Sequence, residues 1–236
     1  MVTTPMQMSE DAAILFQQDW QLYRKMVDNN FLFHREAYAR LHEALSEREM
    51  AFRFLDIACG DASASFTALT GTRIASYHGI DRSSVALAMA AEALRPLGCP
   101  VQLEEGDFTE VLPRWRDPVD VAWVGLSLHH LGVAGKLAIL GEIRRIVGGE
   151  GELLIFENTS PDGESRDAWL DRWDLQRPDW SAYSDAEFER MAAHVHSSDF
   201  PETDSTWRRL GAEAGFASVE ELYRTPTDLF RLYRFQ

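Results

Sequence analysis

The stretch Phe54-Leu-Asp-Ile-Ala-Cys-Gly-Asp-Ala-Ser63 decides how this chain is read. An apolar run carries an acid near its end, a tight turn of small residues follows, and Ser63 opens a helix-forming run that reaches Leu69. Strand, turn and helix in that order begin a βαβ unit. Small residues let a ligand come close to the backbone of such a turn, and Gly60 can take a positive φ. A dinucleotide fingerprint would need G-x-G-x-x-G, whereas this turn holds one glycine. A phosphate-cradling loop would need Gly-Lys-Ser/Thr, which is absent here.

Working outward, the same alternation continues. His78–Ile80 ends a second strand, Ser83–Leu94 is an alanine-rich helix, and Val101–Glu104 reads as a third strand. Val119–Val124 is a fourth strand, Lys136–Ile146 a helix closed by Gly148-Gly149, and Gly151–Phe156 a fifth strand. Strands and helices alternating at this spacing predict a parallel sheet covered on both faces. Ligands on such sheets bind beyond the C-terminal strand ends, where the strand order reverses. Near the C-terminus, Trp207–Glu213 is a helix, and Ser218–Arg224 with Leu229–Phe235 form an antiparallel hairpin at the sheet edge. The expected fold is therefore α/β: a doubly wound, Rossmann-like sheet of seven mostly parallel strands.

Two helical additions complete the expectation. Residues 1–50 form an N-terminal helical cap, with Ser9 as a helix start and Ala37, Leu41, Ala44 and Leu45 on one face of a later helix. Residues 51–236 form the main domain, interrupted by a polar, aromatic-rich helical insertion at 158–205 with helices near Ala168–Asp174 and Asp185–His194. Long insertions in compact domains tend to be lids or binding loops.

The 236 residues carry 23 Lys+Arg against 38 Asp+Glu, a net charge of −15. That balance disfavours nucleic acid and anionic membrane as partners. No apolar run reaches the ~18–20 residues of a membrane helix. The first twenty residues lack a basic n-region and are not read as a secretory signal. Two cysteines, Cys59 and Cys99, do not make a disulfide scaffold, and a reducing cytoplasm is the expected compartment.

Three acids follow three successive strands: Asp56, Asp81 in HGIDRS, and Asp107 in EEGDFTE. An acid at the second position can accept from two ribose hydroxyls. One at the third can accept from an exocyclic amine, while the ring of Phe108 covers an apolar face. With LSLHHL at 126–131 these segments make an adenosine-shaped set, and over roughly 50–160 the chain resembles the class I S-adenosylmethionine-dependent methyltransferases. The family's first motif, acid-x-Gly-x-Gly-x-Gly, matches Asp56-Ile-Ala-Cys-Gly-Asp-Ala62, with alanine at Ala58 and Ala62 where the family has glycine. The resemblance implies that Asp56 orients the turn or meets the methionine amine, and that the backbone of Ala58, Cys59 and Gly60 contacts the methionine part. It further implies Asp81 on the ribose, Arg82 beside the adenine, and Asp107 and Phe108 on the adenine. Leu126, Ser127 and the following residues would line the methionine and transfer site. The implied cofactor is S-adenosyl-L-methionine, with S-adenosyl-L-homocysteine as product.

On the acceptor side, His129, His130 and His34 are the candidate bases, since histidine suits proton transfer at neutral pH. Tyr23, Phe33, Trp169, Trp173 and His196 are candidate acceptor-binding residues, aromatic walls being suited to a small, partly apolar molecule. Asn29, Asn30 and the adjoining aromatics suggest a lid near a helix break, and Glu157 and Asn158 end the fifth strand where they could polarise an acceptor. His194, His196 and Asp199 lack a third ligand of fixed geometry, so no metal is assigned to them. The expected activity is methyl transfer to a small-molecule acceptor by a monomer or homodimer. A protein that binds S-adenosylmethionine or a derivative without methylating, and a nicotinamide-dependent oxidoreductase, remain as alternatives.

Overall fold

The computed structural model describes residues 22–236. The expected helix start at Ser9 and the apolar positions Ile14 and Leu15 lie outside the described residues. The first described helix, α1, covers 22–28. It is followed by α2 (His34–Ser46), β1 (Phe52–Ile57), α3 (Ser63–Leu69), β2 (Ile74–Asp81), α4 (Ser84–Ala93), β3 (Val101–Glu105), α5 (Phe108–Arg114), β4 (Val121–Gly125), α6 (Val133–Val147) and β5 (Glu152–Ser160). Then come α7 (Arg166–Asp174), α8 (Asp185–Ser198), β6 (Glu202–Thr203), α9 (Asp204–Glu213), β7 (Val219–Arg224) and β8 (Phe230–Phe235).

The strand order is β3-β2-β1-β4-β5-β8-β7, with the two-residue β6 added parallel to the end of β5. β1 to β5 pair in parallel, whereas β8 runs antiparallel to both β5 and β7. This is the expected doubly wound sheet with its antiparallel edge. The order reverses between β1 and β4, which places the ligand crevice there.

One apolar layer packs α2, α3, α4 and the aromatics of α7 and α8 on one face of the sheet, around Phe54, Trp123 and Phe156. The other packs α5, α6 and α9 around Leu55, Val124 and Ile155. Every residue of β5 is buried, as a central strand covered on both faces requires. Ala37, Leu41, Ala44 and Leu45 form the buried stripe of α2, as their spacing predicts.

Two elements escape the sequence reading. α5 starts immediately after Asp107, whose carboxylate caps it by accepting from the Thr109 amide at 2.9 Å. The helix is seven residues long with Pro113 inside its last turn, too short for periodicity to reveal. β6 is two residues long and exists only because it pairs with Thr159 and Ser160.

Candidate active site

A cavity of about 390 Å³ opens at the β1/β4 crevice. Its floor is the turn after β1, running from Ala58 to Ser65, together with Asp56, Trp123, Gly125, Leu126 and Ser127. α1 and α2 close it from above with Tyr23, Arg24, His34 and Tyr38. A second cavity of about 310 Å³ shares Ala58, Asp81 and Ser127 with it and continues along Arg82, Asp107, Phe108, His130 and Leu131. The two make one groove along the ends of β1, β2, β3 and β4.

The turn after β1 is held by β2. The Cys59 amide donates to the Ile80 carbonyl at 2.9 Å, and the Gly60 amide donates to Asp81 Oδ2 at 2.8 Å. Asp81 Oδ1 accepts from the Ser83 amide at 2.8 Å. Asp81 therefore joins the β1 turn to the start of α4, and its carboxylate borders both cavities. Ala58, Gly60 and Ala62 all have positive φ, at 58°, 55° and 53°. Glycine takes this conformation freely and alanine at a cost, so the backbone keeps the turn of the glycine-rich motif although two of its side chains are methyl groups. A Cβ on Gly60 would meet nothing within 4 Å and would point into open space. At Gly79 a Cβ would come within 2.8 Å of Cys59 Sγ, so the bare glycine of β2 makes room for the turn. Burial pushes the Cys59 thiol well above its usual pKa, with Asp56 and Asp81 adding to the effect, which leaves it unreactive.

Asp56 is buried under the turn and accepts from the Tyr77 hydroxyl at 2.6 Å. Burial pushes its pKa up to about 6, against the pull of hydrogen bonds from Ser65 and Tyr77. In the second cavity Asp107 spends Oδ1 on the Thr109 amide and hydroxyl, leaving Oδ2 3.7 Å from Arg82 Nε. The Thr109 hydroxyl bond is the main cause holding the Asp107 carboxyl below its usual range.

His34 is buried at the roof of the first cavity. Its ring lies 6.2 Å from that of Tyr23, 6.3 Å from Tyr38 and 6.3 Å from Phe156, centroid to centroid. Its Nδ1 has no hydrogen-bond partner. Burial lowers its pKa to about 4, so the ring is neutral at pH 7. Burial likewise pushes Tyr23 up to about 12, with Asp61, Asp56 and Asp81 adding to it, and keeps Tyr38 protonated.

The two adjacent histidines part company. His129 lies outside both cavities and is buried against β5, its Nδ1 2.8 Å from Glu157 Oε2. Glu157, fully buried, also accepts from the Ser127 amide at 2.7 Å and the Leu128 amide at 2.6 Å. Burial opposes charge on both groups, but their mutual attraction wins, raising His129 and lowering Glu157. Glu157 thus shapes the turn after β4 from below. His130 lines the second cavity.

Of the remaining candidates, Trp169 and Trp173 are buried in the core formed by α7 and α8, where Trp173 meets Trp180 edge-on at 5.0 Å. His196 is on the surface of α8, with Nε2 3.1 Å from both carboxylate oxygens of Asp174. Phe33 is the left-handed N-cap of α2 and does not line either cavity. Tyr38, Trp123, Arg24 and Ser65, which do line the first, carry no motif in the sequence.

Residues 54–151 match the sequence model of a family described as methyltransferase domain. No curated protein sequence matches the chain. Among solved structures, the chain is similar to the mitomycin 7-O-methyltransferase MmcR, at 17% identity and a TM-score of 0.59, covering 92% of this chain and 60% of that one. It is similar to a SAM-dependent methyltransferase from Leishmania major at 16% identity and a TM-score of 0.59, covering 86% and 71%. It is also similar to CalO1, a methyltransferase in calicheamicin biosynthesis in its SAH-bound form, at 18% identity and a TM-score of 0.55, covering 85% and 53%. At these identities the likeness is one of fold, and the chain spans little more than half the length of several structures it matches. The family match and the likeness of fold both fall on the sheet whose groove Asp56, Asp81 and Asp107 line, so residues 54–151 are similar to a methyltransferase domain.

Proposed function

We propose that this chain transfers a methyl group from S-adenosylmethionine to a small-molecule acceptor. The observation that carries the reading is the acid-lined groove: Asp56, Asp61 and Asp81 face the first cavity, and Asp107 faces the second. Carboxylates favour a ligand with an ammonium and a sulfonium and disfavour the pyrophosphate of a nicotinamide cofactor. The open space above Gly60 suits a methionine moiety, the shared position of Asp81 suits a ribose, and Phe108 with Leu131 suits an adenine face.

When bound, S-adenosylmethionine supplies an electrophilic methyl group for in-line displacement. Much of the rate in such a reaction comes from holding the nucleophile on the axis of attack. His34 suits that role. Its neutral ring borders the cavity, and a small shift of the Tyr23 and Tyr38 rings would bring the buried, unpartnered Nδ1 within reach of the acceptor's O–H or N–H. Tyr23, Tyr38 and His34 wall the acceptor space with rings. With its pKa near 4, His34 orients better than it deprotonates, so an acceptor with an available lone pair fits this roof. His129 acts through Glu157 on the turn that carries Ser127 and is a positioning residue. The N-terminal helices as a cap and the insertion at 158–205 as an acceptor cover belong to the same proposal.

The test is calorimetric titration with S-adenosylmethionine, S-adenosylhomocysteine and NAD. Micromolar binding of the first two without NAD is expected. Asp81→Ala should weaken that binding by about 1–3 kcal/mol, the loss of buried hydrogen bonds to a charged acceptor. Full affinity in a folded Asp81→Ala protein would refute the ribose assignment. Tight cofactor binding with no labelled methyl reaching any compound of an acceptor screen would favour a non-methylating binding protein.

A further inference from the structure

The end of α8 meets the turn after β4 in a cluster of three groups outside the acid-lined groove's first cavity: His129, His130 and Asp199. One ring nitrogen from each histidine and one carboxylate oxygen lie within 4.8 Å of one another. Asp199 Oδ1 is 3.8 Å from His129 Nε2 and 3.6 Å from His130 Nδ1. Neither distance is a hydrogen bond. Asp199 is 5% exposed, and its Oδ1 is a buried acceptor with no partner. A buried carboxylate oxygen facing two nitrogens at that spacing is costly unless something cationic sits between them.

The surrounding bonds prepare His129 and Asp199 as ligands. His129 Nδ1 is committed to the Glu157 carboxylate, so in the neutral ring that a metal would bind, Nε2 carries the lone pair towards the cluster. That carboxylate–histidine pairing is the usual support of a metal-binding imidazole. Asp199 Oδ2 accepts from Asn158 Nδ2 at 2.8 Å, which turns Oδ1 inward. The Phe200 amide donates to the His129 carbonyl at 2.8 Å, clamping the two segments together. His130 Nδ1 has a long 3.3 Å contact with the Ser198 carbonyl, which ligation would replace.

We infer that His129, His130 and Asp199 bind a divalent transition metal of the Zn²⁺ class. Two imidazoles and one carboxylate are a borderline N,N,O donor set, which suits zinc or cobalt better than calcium or magnesium. Zinc bonds of about 2.0–2.1 Å place tetrahedral ligand atoms about 3.3–3.4 Å apart. The two spacings from Asp199 need to close by a few tenths of an ångström, and the histidine nitrogens, within 4.8 Å of each other, close with them. Three protein ligands leave a fourth position for water, and the half-exposed His130 gives the ion a way in. Bound there, the metal would tie the insertion's α8 to the turn that carries Ser127, linking the insertion to the floor of the groove.

The experiment uses tag-free protein stripped with a chelator and titrated with Zn²⁺ by calorimetry, and with Co²⁺ as a visible-spectrum probe. One equivalent should bind with micromolar or tighter affinity, and the cobalt protein should show ligand-field bands of low coordination number. Asp199→Asn and His130→Ala should each lower the affinity at least tenfold, while His42→Ala, on α2 and outside the cluster, should not. Near-ultraviolet circular dichroism of the stripped variants checks that each is folded. Absence of stoichiometric binding, or binding that survives both substitutions, would overturn the inference.

Discussion

His34→Gln should remove a pH dependence of stability that the wild-type protein carries. His34 is 5% exposed and packed among Tyr23, Tyr38 and Phe156, with no carboxylate bonded to it. Burial lowers its folded pKa to about 4, against 6.5 for a free histidine. Below pH 4 both folded and unfolded chains hold the proton. Between pH 4 and 6.5 the unfolded chain binds more protons than the folded one, so stability rises with pH across that window and levels off above it. At about 1.36 kcal/mol per pH unit the rise is worth about 3 kcal/mol. Asp56 works in the opposite direction: its folded pKa of about 6 lies above its ordinary 3.8, so its contribution falls as pH rises from 3.8 to 6. Wild-type stability alone would therefore hide both effects. Glutamine is close to histidine in size and does not titrate, and Asp56 is present in both proteins. The difference between wild type and His34→Gln isolates the histidine. Urea unfolding followed by tryptophan fluorescence at micromolar protein, from pH 4 to 7.5, measures it. The difference should grow in favour of the wild type by about 3 kcal/mol between pH 4 and 6.5. A difference that stays flat across that range would refute the burial of a neutral His34, and with it the roof described for the first cavity.

Two further predictions concern the scaffold. Ala62→Gly should stabilise the protein by about 0.5–1 kcal/mol, because Ala62 is a helix N-cap held at a φ of 53° that glycine adopts without strain; a raised urea midpoint checks it, and a lowered one would contradict the strain. Lys136→Met should destabilise by about 3–5 kcal/mol, since Lys136 is fully buried with Nζ 2.6 Å from the buried Glu202, and the double variant with Glu202→Gln should recover part of that loss in the same unfolding assay.

Much of this architecture is readable before any coordinates. β1, β4 and β5 declare themselves as apolar runs, β2 and β3 by their place in the alternation, and Ser63–Leu69 is a helix at the residues its pattern marks. The antiparallel hairpin follows from two strands around Thr225-Pro-Thr-Asp228. Asp56, Asp81 and Asp107 are legible as groove-lining residues because each ends or follows a strand, and a parallel sheet brings all such ends to one edge. The positive φ of Ala58 and Ala62 is implied by the motif they interrupt, although alanine itself gives no hint of it.

The acceptor side is different, because its chemistry depends on contacts between residues far apart in the chain. His129 and His130 are neighbours in sequence, yet packing turns one towards Glu157 on β5 and the other into the groove. The aromatic side chains at 158–205 look alike in composition. Trp169 and Trp173 became core, however, because two short helices bury their apolar area only by packing on the sheet and on each other. His34 gains its neutral, unpartnered nitrogen solely from the rings that surround it. Asp199 meets His129 seventy positions away in the chain. Periodicity and turn chemistry are local and determined the sheet and its row of acids. Burial, and the pairing of one buried polar group with another, are properties of the assembled core, and they alone decided which histidine faces the groove and which holds its floor.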